Sequence, residues 1–202
     1  PVTGLRVYVA IRGGIAVEPV LGSASWDSLA RIGPPPLGRG AVIRRGYTIA
    51  PREGSAGIPR PDSLPDSLPV SRSDSRSPIP GPPGTHRVRA WFGPREDWFE
   101  PQSLLTLATR DFVVTTASDR IGLRLAGPVL KRRRFAELPS EPVVRGSVQV
   151  PPDGQPLVFL ADHPTTGGYP VIAVVEDAET DHLAQARPGE VIRFAMRQPT
   201  WS

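Results

Sequence analysis

Proline limits what this chain can fold into more than any other residue. Twenty-six prolines and 20 glycines stand among 202 residues. Proline removes a backbone donor and clashes inside a helix, and glycine loses the most backbone entropy on ordering. Long helices are therefore excluded over most of the chain, while short strands joined by tight turns accommodate both residues. The prolines are also unevenly placed. From Pro51 to Thr85 the run "PREGSAGIPRPDSLPDSLPVSRSDSRSPIPGPPGT" is mostly Pro, Ser, Arg and Asp. Such a segment buries too little apolar surface to offset its ordering entropy, so it reads as an exposed linker or loop.

Outside that segment the pattern is one of strands. "LRVYVAI" (5–11) alternates, and "GAVIRRGYTIA" (40–50) reads as another strand or pair. Between them a Gly-punctuated stretch contains one helical turn with Ser25 as its cap. After the linker come "HRVRAWFGP" and then the best helix candidate, "EDWFEPQSLLTLATRDF". Pro101 suits its first turn, and Leu104, Leu105 and Ala108 give its apolar spacing. In "DRIGLRLAGP", alternation turns Ile121, Leu123 and Leu125 one way and Arg120, Gly122 and Arg124 the other. "FVVTT", "GSVQV", "QPLVFLA", "YPVIAVVED" and "RPGEVIRFAM" are further strands, with a short helix over "DAETDHLAQ". The expected class is mainly β, a closed or nearly closed barrel with few short helices, since closure removes sheet edges.

Residue usage excludes several chemistries. Lys131 is the single lysine among 24 basic residues, and its "LKRRRF" setting fits neither a Walker A loop nor a kinase strand. The absence of cysteine excludes disulfides, thiolate nucleophiles and sulfur-based zinc sites, and suits a reducing cytoplasm. The three histidines, His86, His163 and His182, lack metal-ligand spacing, so no metal is expected. No apolar run reaches the roughly 18 residues of a membrane span, so no membrane partner is expected. The basic run 131–135 lacks interleaved aromatics, which reads as a solvated turn or a contact between subunits and against nucleic acid. The chain opens on "PVTGLRVYVA", without Met and already alternating, which implies a missing N-terminal portion.

The stretch most suggestive of chemistry is "HPTTGGYP" (163–170). Gly167 and Gly168 permit positive φ, which lets successive N–H groups converge on an anion, with Thr165 and Thr166 hydroxyls and Tyr169 beside them. A tight connection that merely needs glycines is the competing reading. Asp162 beside His163 suggests a carboxylate and an imidazole base, although neighbours on a strand face opposite ways. Arg120 and Arg124 suit an anion clamp or a solvated outer face. Gln149, Asp153 and Gln155 flank the "PPDG" turn. If residues 155–160 form one strand, its ends lie about 20 Å apart, which places that turn and the TTGG loop at opposite ends and makes the turn structural.

Five stretches in order, "RGGI…VLGSASWDSL" (12–29), "WFGPREDWF" (91–99), "SDRIGLRLAGP" (118–128), "LPSEPVVRGSVQVPPDGQPLVFLADHPTTGGYPVIA" (138–173) and "LAQARPGEVIRF" (183–194), closely resemble the allophanate hydrolase subunit 2 family. That group includes the third subunit of bacterial 5-oxoprolinase and part of the carboxyltransferase domain of urea amidolyase. The resemblance implies a cyclophilin-like β-barrel over 86–202, preceded by the linker 51–85 and, over 1–50, by the end of an N-terminal barrel portion with core strands. It implies about 80 further N-terminal residues on typical domain sizes. Pro142 replaces a glycine usual after "SE", and the family's linker is shorter. It also implies a companion subunit 1-type protein and a small amide or lactam substrate. Two chemistries follow: ATP-dependent activation of a lactam through the complex, or transfer from carboxybiotin on a partner carrier. A regulator that binds its subunit 1 homologue is a third expectation. His163 and Asp162 are the catalytic candidates. Arg120, Arg124, Thr165, Thr166, Gly167, Gly168, Tyr169 and Gln149 are the substrate-binding candidates.

Overall fold

The computed structural model describes residues 5–6, 15–27, 30–36 and 84–197. The chain forms two units, residues 1–7 with 73–202 and residues 8–72. In the second unit Val20 bridges Ser23 and Asp27 bridges Ile32. Asp27 Oδ1 accepts the Ala30 N–H at 2.9 Å. Ser25, the expected cap, donates its own N–H to Ser23 Oγ at 3.1 Å. The strand expected over 40–50, and most of that over 5–11, lie outside the described residues. So does the expected linker, apart from its last two residues.

The first unit runs β1 (Thr85–Phe92), a 3₁₀ turn (Glu96–Trp98), α1 (Pro101–Thr109), β2 (Phe112–Val114), β3 (Gly122–Ala126), β4 (Glu141–Pro142), β5 (Ser147–Gln149), β6 (Leu157–Phe159), β7 (Thr166–Gly167), β8 (Val171–Val175), α2 (Asp177–Leu183) and β9 (Val191–Arg197). Seven strands close a barrel in the order β1-β8-β5-β6-β3-β2-β9. The chain's last described strand returns to its first in a parallel pair, Thr85 opposite Val191 through Trp91 opposite Arg197. The other barrel pairs are antiparallel. Closure leaves no strand edge within the barrel unpaired.

Alternation sorts side chains to two faces. Leu123, Val158, Val148 and Ala173 oppose one another across four strands and are all buried inside. Phe112 and Phe194 meet edge to face there at 6.0 Å. Pro101 begins α1 as its fixed φ favours. The helix buries Ser103 and Leu107, with Leu104 packed alongside, whereas Leu105 is 54% exposed. The i, i+3 pair Leu104 and Leu107 thus sets its rotation. Against the outer face of β1, α2 buries Glu179 beside Arg89, which also holds Glu176 at 3.0 Å. Burial pushes the Glu179 carboxyl above its ordinary range, opposed by the Arg89 charge.

The outer face of β3, β6, β5 and β8 is covered by a second, smaller layer. Val143, Phe159 and Val171 form its apolar cluster, with Ile121, Leu157 and Val174 packed on it. Ile121 therefore does not share a face with Leu123 and Leu125. Asp119 Oδ1 accepts the N–H groups of Ile121 and Gly122 at 2.9 and 3.0 Å, so a turn precedes the strand and alternation begins only at Gly122. Above the cluster β4 pairs β7 antiparallel, Glu141 opposite Gly167 and Pro142 opposite Thr166. Arg95 fixes β4 by a two-pronged bond to Glu141, Nε to Oε2 at 3.0 Å and Nη2 to Oε1.

Two outcomes follow from this packing. Phe112→Ala removes an interior ring with 0% exposure and should cost about 3–5 kcal/mol, read as a lowered denaturant midpoint. The Arg95 hydrogen bond holds Glu141 below its ordinary carboxylate value. The stability it adds is present above that value and is lost as pH falls through the depressed one. The protection factor of the Val143 amide, which donates to Thr165 O at 3.0 Å, should fall on acidification before that of Val148, and Glu141→Gln should abolish the difference.

Candidate functional site

The β7 loop lies over one buried side chain. Gln149, 2% exposed, projects from the outer face of β5 and donates from Nε2 to Tyr169 O at 2.9 Å. A Cβ on Gly167 would collide with that same nitrogen. Gly167 is glycine because the backbone sits directly on the amide. Neither Gly167 nor Gly168 occupies the left-handed region, so the expected positive φ is absent at both. Gly168 differs in having space: a Cβ there meets nothing nearer than Leu138 O at 3.9 Å. The expected separation of Gln149 from the TTGG loop also fails. Gln149 opposes Val171 through a bulge in the β5–β8 pairing, and Val150 donates to Pro170 O at 3.2 Å. Beside the PPDG turn, Gln155 accepts from the Gly127 N–H at 2.8 Å, as a brace between loops.

What the loop presents outward is a set of donors. Thr165, Thr166, Gly168 and Tyr169 are all exposed. The N–H groups of Gly168 and Tyr169 donate to no acceptor among the described residues. Two N–H groups and two hydroxyls on one short stretch suit an anionic or strongly polarised oxygen.

Strand register relates Arg124 to this set. Arg124 opposes Leu157, which opposes Gln149. These three share the outer face in one row, so Arg124 stands two strands, roughly 10 Å, from Gln149. Its guanidinium is exposed and has no ion-pair partner among the described residues. Arg120 is placed differently. It precedes β3 and bonds Asp162 from Nε at 2.5 Å, with both side chains about half exposed. The structure therefore does not bring Arg120 and Arg124 together as a clamp.

That ion pair also engages the Asp162 carboxylate, so Asp162 and His163 form no dyad. The His163 Nδ1 lies 2.7 Å from Pro164 O. A carbonyl only accepts, so Nδ1 carries the proton and a neutral ring keeps its lone pair on Nε2. The ring rests near Phe159, centroids 6.1 Å apart.

Arg132 was hidden in the basic run. Its guanidinium lies 5.9 Å from the Tyr169 ring centroid and donates from Nη2 to Val150 O. Burial lowers its pKa from the ordinary arginine value. The signal in sequence was slight: one arginine among three. No cluster of three His, Cys, Asp or Glu side chains among the described residues suits a metal ion. No described helix is long and apolar enough to cross a membrane.

Comparison with known proteins agrees with this architecture. The chain is 35% identical over 194 residues to the 5-oxoprolinase C-type subunit of Escherichia coli, covering 96% of this chain and 57% of that protein. It is 32% identical to the corresponding 5-oxoprolinase polypeptide of Haemophilus influenzae, covering 95% and 56%. It thus spans a little over half the length of either. The crystal structure of the Kluyveromyces lactis urea amidolyase superposes with a TM-score of 0.65 at 26% identity, over 95% of this chain and 12% of that one. Residues 1–196 match the carboxyltransferase domain, subdomain A and B, and the chain belongs to that family.

Proposed function

We propose that this chain is the partner-dependent subunit of a 5-oxoprolinase-type complex that activates a lactam or related amide for hydrolysis. The observation that carries this reading is the outward donor set of the β7 loop, rigidly backed by Gln149. The likeness to two 5-oxoprolinase polypeptides supports the substrate class. A lactam resists water because its carbonyl is deactivated by the ring nitrogen. ATP, brought through the complex, would supply a phosphoryl group to the lactam oxygen, making the ring carbon electrophilic enough for water to add and the C–N bond to break.

The residues fit part of that task. Four donors suit one oxyanion or carboxylate, and Arg124 adds a cation on the same face. They do not suit a whole triphosphate, since no carboxylate cluster for a divalent ion stands among the described residues. The companion subunit 1-type protein would hold the nucleotide. In this scheme Gly168 and Tyr169 N–H, with the Thr165 and Thr166 hydroxyls, orient the substrate oxygen. His163 Nε2 accepts a proton. Arg124 attracts the substrate's negative end, and Asp162 serves by fixing Arg120.

A second reading is favoured by the likeness to urea amidolyase, a 29% identity over 206 residues with the Saccharomyces cerevisiae protein. The same donors would then steady the developing negative oxygen of urea or a similar amide beside carboxybiotin on a partner carrier.

Gly168→Val and Arg124→Ala should each lower substrate-dependent ATP consumption by at least about tenfold, with thermal melts matching the parent. The assay is the chain with its companion protein and 5-oxoproline or, separately, urea. Wild-type turnover in both variants removes these residues from the site; dependence on urea alone selects the second reading. Gly167→Ala should behave differently. It drives a Cβ into Gln149 and should cost about 1–3 kcal/mol, seen as an earlier melt.

A further inference from the structure

Arg132 also lines a cavity of about 260 Å³ that this chemistry leaves unused. Val129, Phe135 and Pro152 form its apolar lining, and Lys131, Arg132 and Glu100 its charged one. The walls are tied to one another through the backbone. Glu100 N–H donates to Lys131 O at 3.0 Å, Lys131 N–H to Ser103 Oγ at 2.8 Å, and Leu130 N–H to Gly154 O at 3.0 Å. The cavity is therefore preformed from three segments rather than opened by a mobile loop.

Two features call for an occupant. Phe135, in the lining, is 85% exposed, and Val129 beside it is 55% exposed. Arg132 Nε is buried with no hydrogen-bond acceptor among the described residues, and neither Arg132 nor Lys131 pairs with a carboxylate there. By contrast Arg89, Arg95, Arg120, Arg145, Arg193 and Arg197 all do. Cations without a carboxylate partner leave positive charge at the cavity wall, which a carboxylate ligand can meet with charge-assisted hydrogen bonds.

We infer that this cavity is a binding site for a small organic monoanion, a carboxylate attached to an apolar ring or chain. The apolar lining takes the body, and Lys131 with Arg132 takes the carboxylate. Lys131 and Arg132 outweigh Glu100 in the lining, with Asp153 acting on Arg132 as a partial offset, so the wall attracts an anion. The apolar walls favour a monoanion over a phosphate dianion, whose desolvation costs more. The volume lies below the roughly 300–1,000 Å³ of pockets that take drug-sized ligands, which limits the occupant to a small molecule. The inference does not rest on the lactam reading and survives its failure.

The test uses benzoate as probe, benzamide as its neutral counterpart and sulfate as an anion without an apolar body, titrated into isotope-labelled chain by NMR. Benzoate should shift the amides of Lys131, Arg132 and Gly154 saturably, with benzamide and sulfate each at least fivefold weaker. Phe135→Ser and Lys131→Gln should each raise the benzoate Kd at least threefold. Both side chains are exposed, so their melts should be unchanged. Equal binding of benzoate and benzamide overturns the role of the cations. Sulfate binding as tightly as benzoate, or shifts confined to other parts of the surface, overturns the site.

Discussion

The buried amide of Gln149 ties the barrel to the loop above it. An amide taken from water without partners costs a few kcal/mol, and here Nε2 finds Tyr169 O. That bond sets the height of the loop, and the loop's height explains the glycine at 167. It also requires the bulge between Val148 and Gln149, which lets one strand residue reach the 169–171 backbone. Barrel closure, loop position and donor direction therefore form one connected constraint.

Arginine plays two distinct parts on this frame. Several described arginines are engaged with carboxylates, as where Arg193 grips Asp111 with two bonds of 2.6 and 2.7 Å and holds that carboxyl below its ordinary range. Arg145 similarly spans Asp177 and Asp181 of α2. Such exposed pairs add little stability each, but they separate the engaged cations from the others. Arg124 and Arg132, with Lys131, are among those remaining, and they flank the β7 loop and the 129–135 cavity. The partners an arginine lacks are more informative than the arginine count.

Much of the barrel was legible in the chain because alternation and turn residues are local signals. The strands 85–92, 122–126, 171–175 and 191–197, both helices and the PPDG turn follow from periodicity and proline placement. What escaped depends on contacts distant in sequence. Ile121 looked continuous with Leu123 until Asp119 anchored a turn before the strand. Leu105 had helical spacing, but Leu107 set the rotation. Gly167 and Gly168 looked alike, because glycine is chosen for dihedral freedom, for close approach or for neither. Only the position of Gln149, eighteen residues earlier, distinguishes them. Arg132 could not be separated from Arg133 and Arg134 by sequence, since the feature that marks it is a ring thirty-seven residues later.

Under the proposed function, the same arrangement would let one site serve more than one amide chemistry. The barrel's inner rows are apolar and carry no titratable group into the site; the functional groups lie on the outer face and on a two-stranded layer held by Arg95 and Glu141. That layer fixes where an oxygen is received without specifying what else the ligand carries. Backbone N–H groups recognise a negative oxygen whether it belongs to a lactam, a urea or a carboxylate. Discrimination among these must come from surfaces that meet the rest of the molecule, and among the described residues Arg124 is the cation that strand register places beside the loop. Under the proposed function the chemistry would be divided, this chain positioning an oxygen and a partner determining what is done to it.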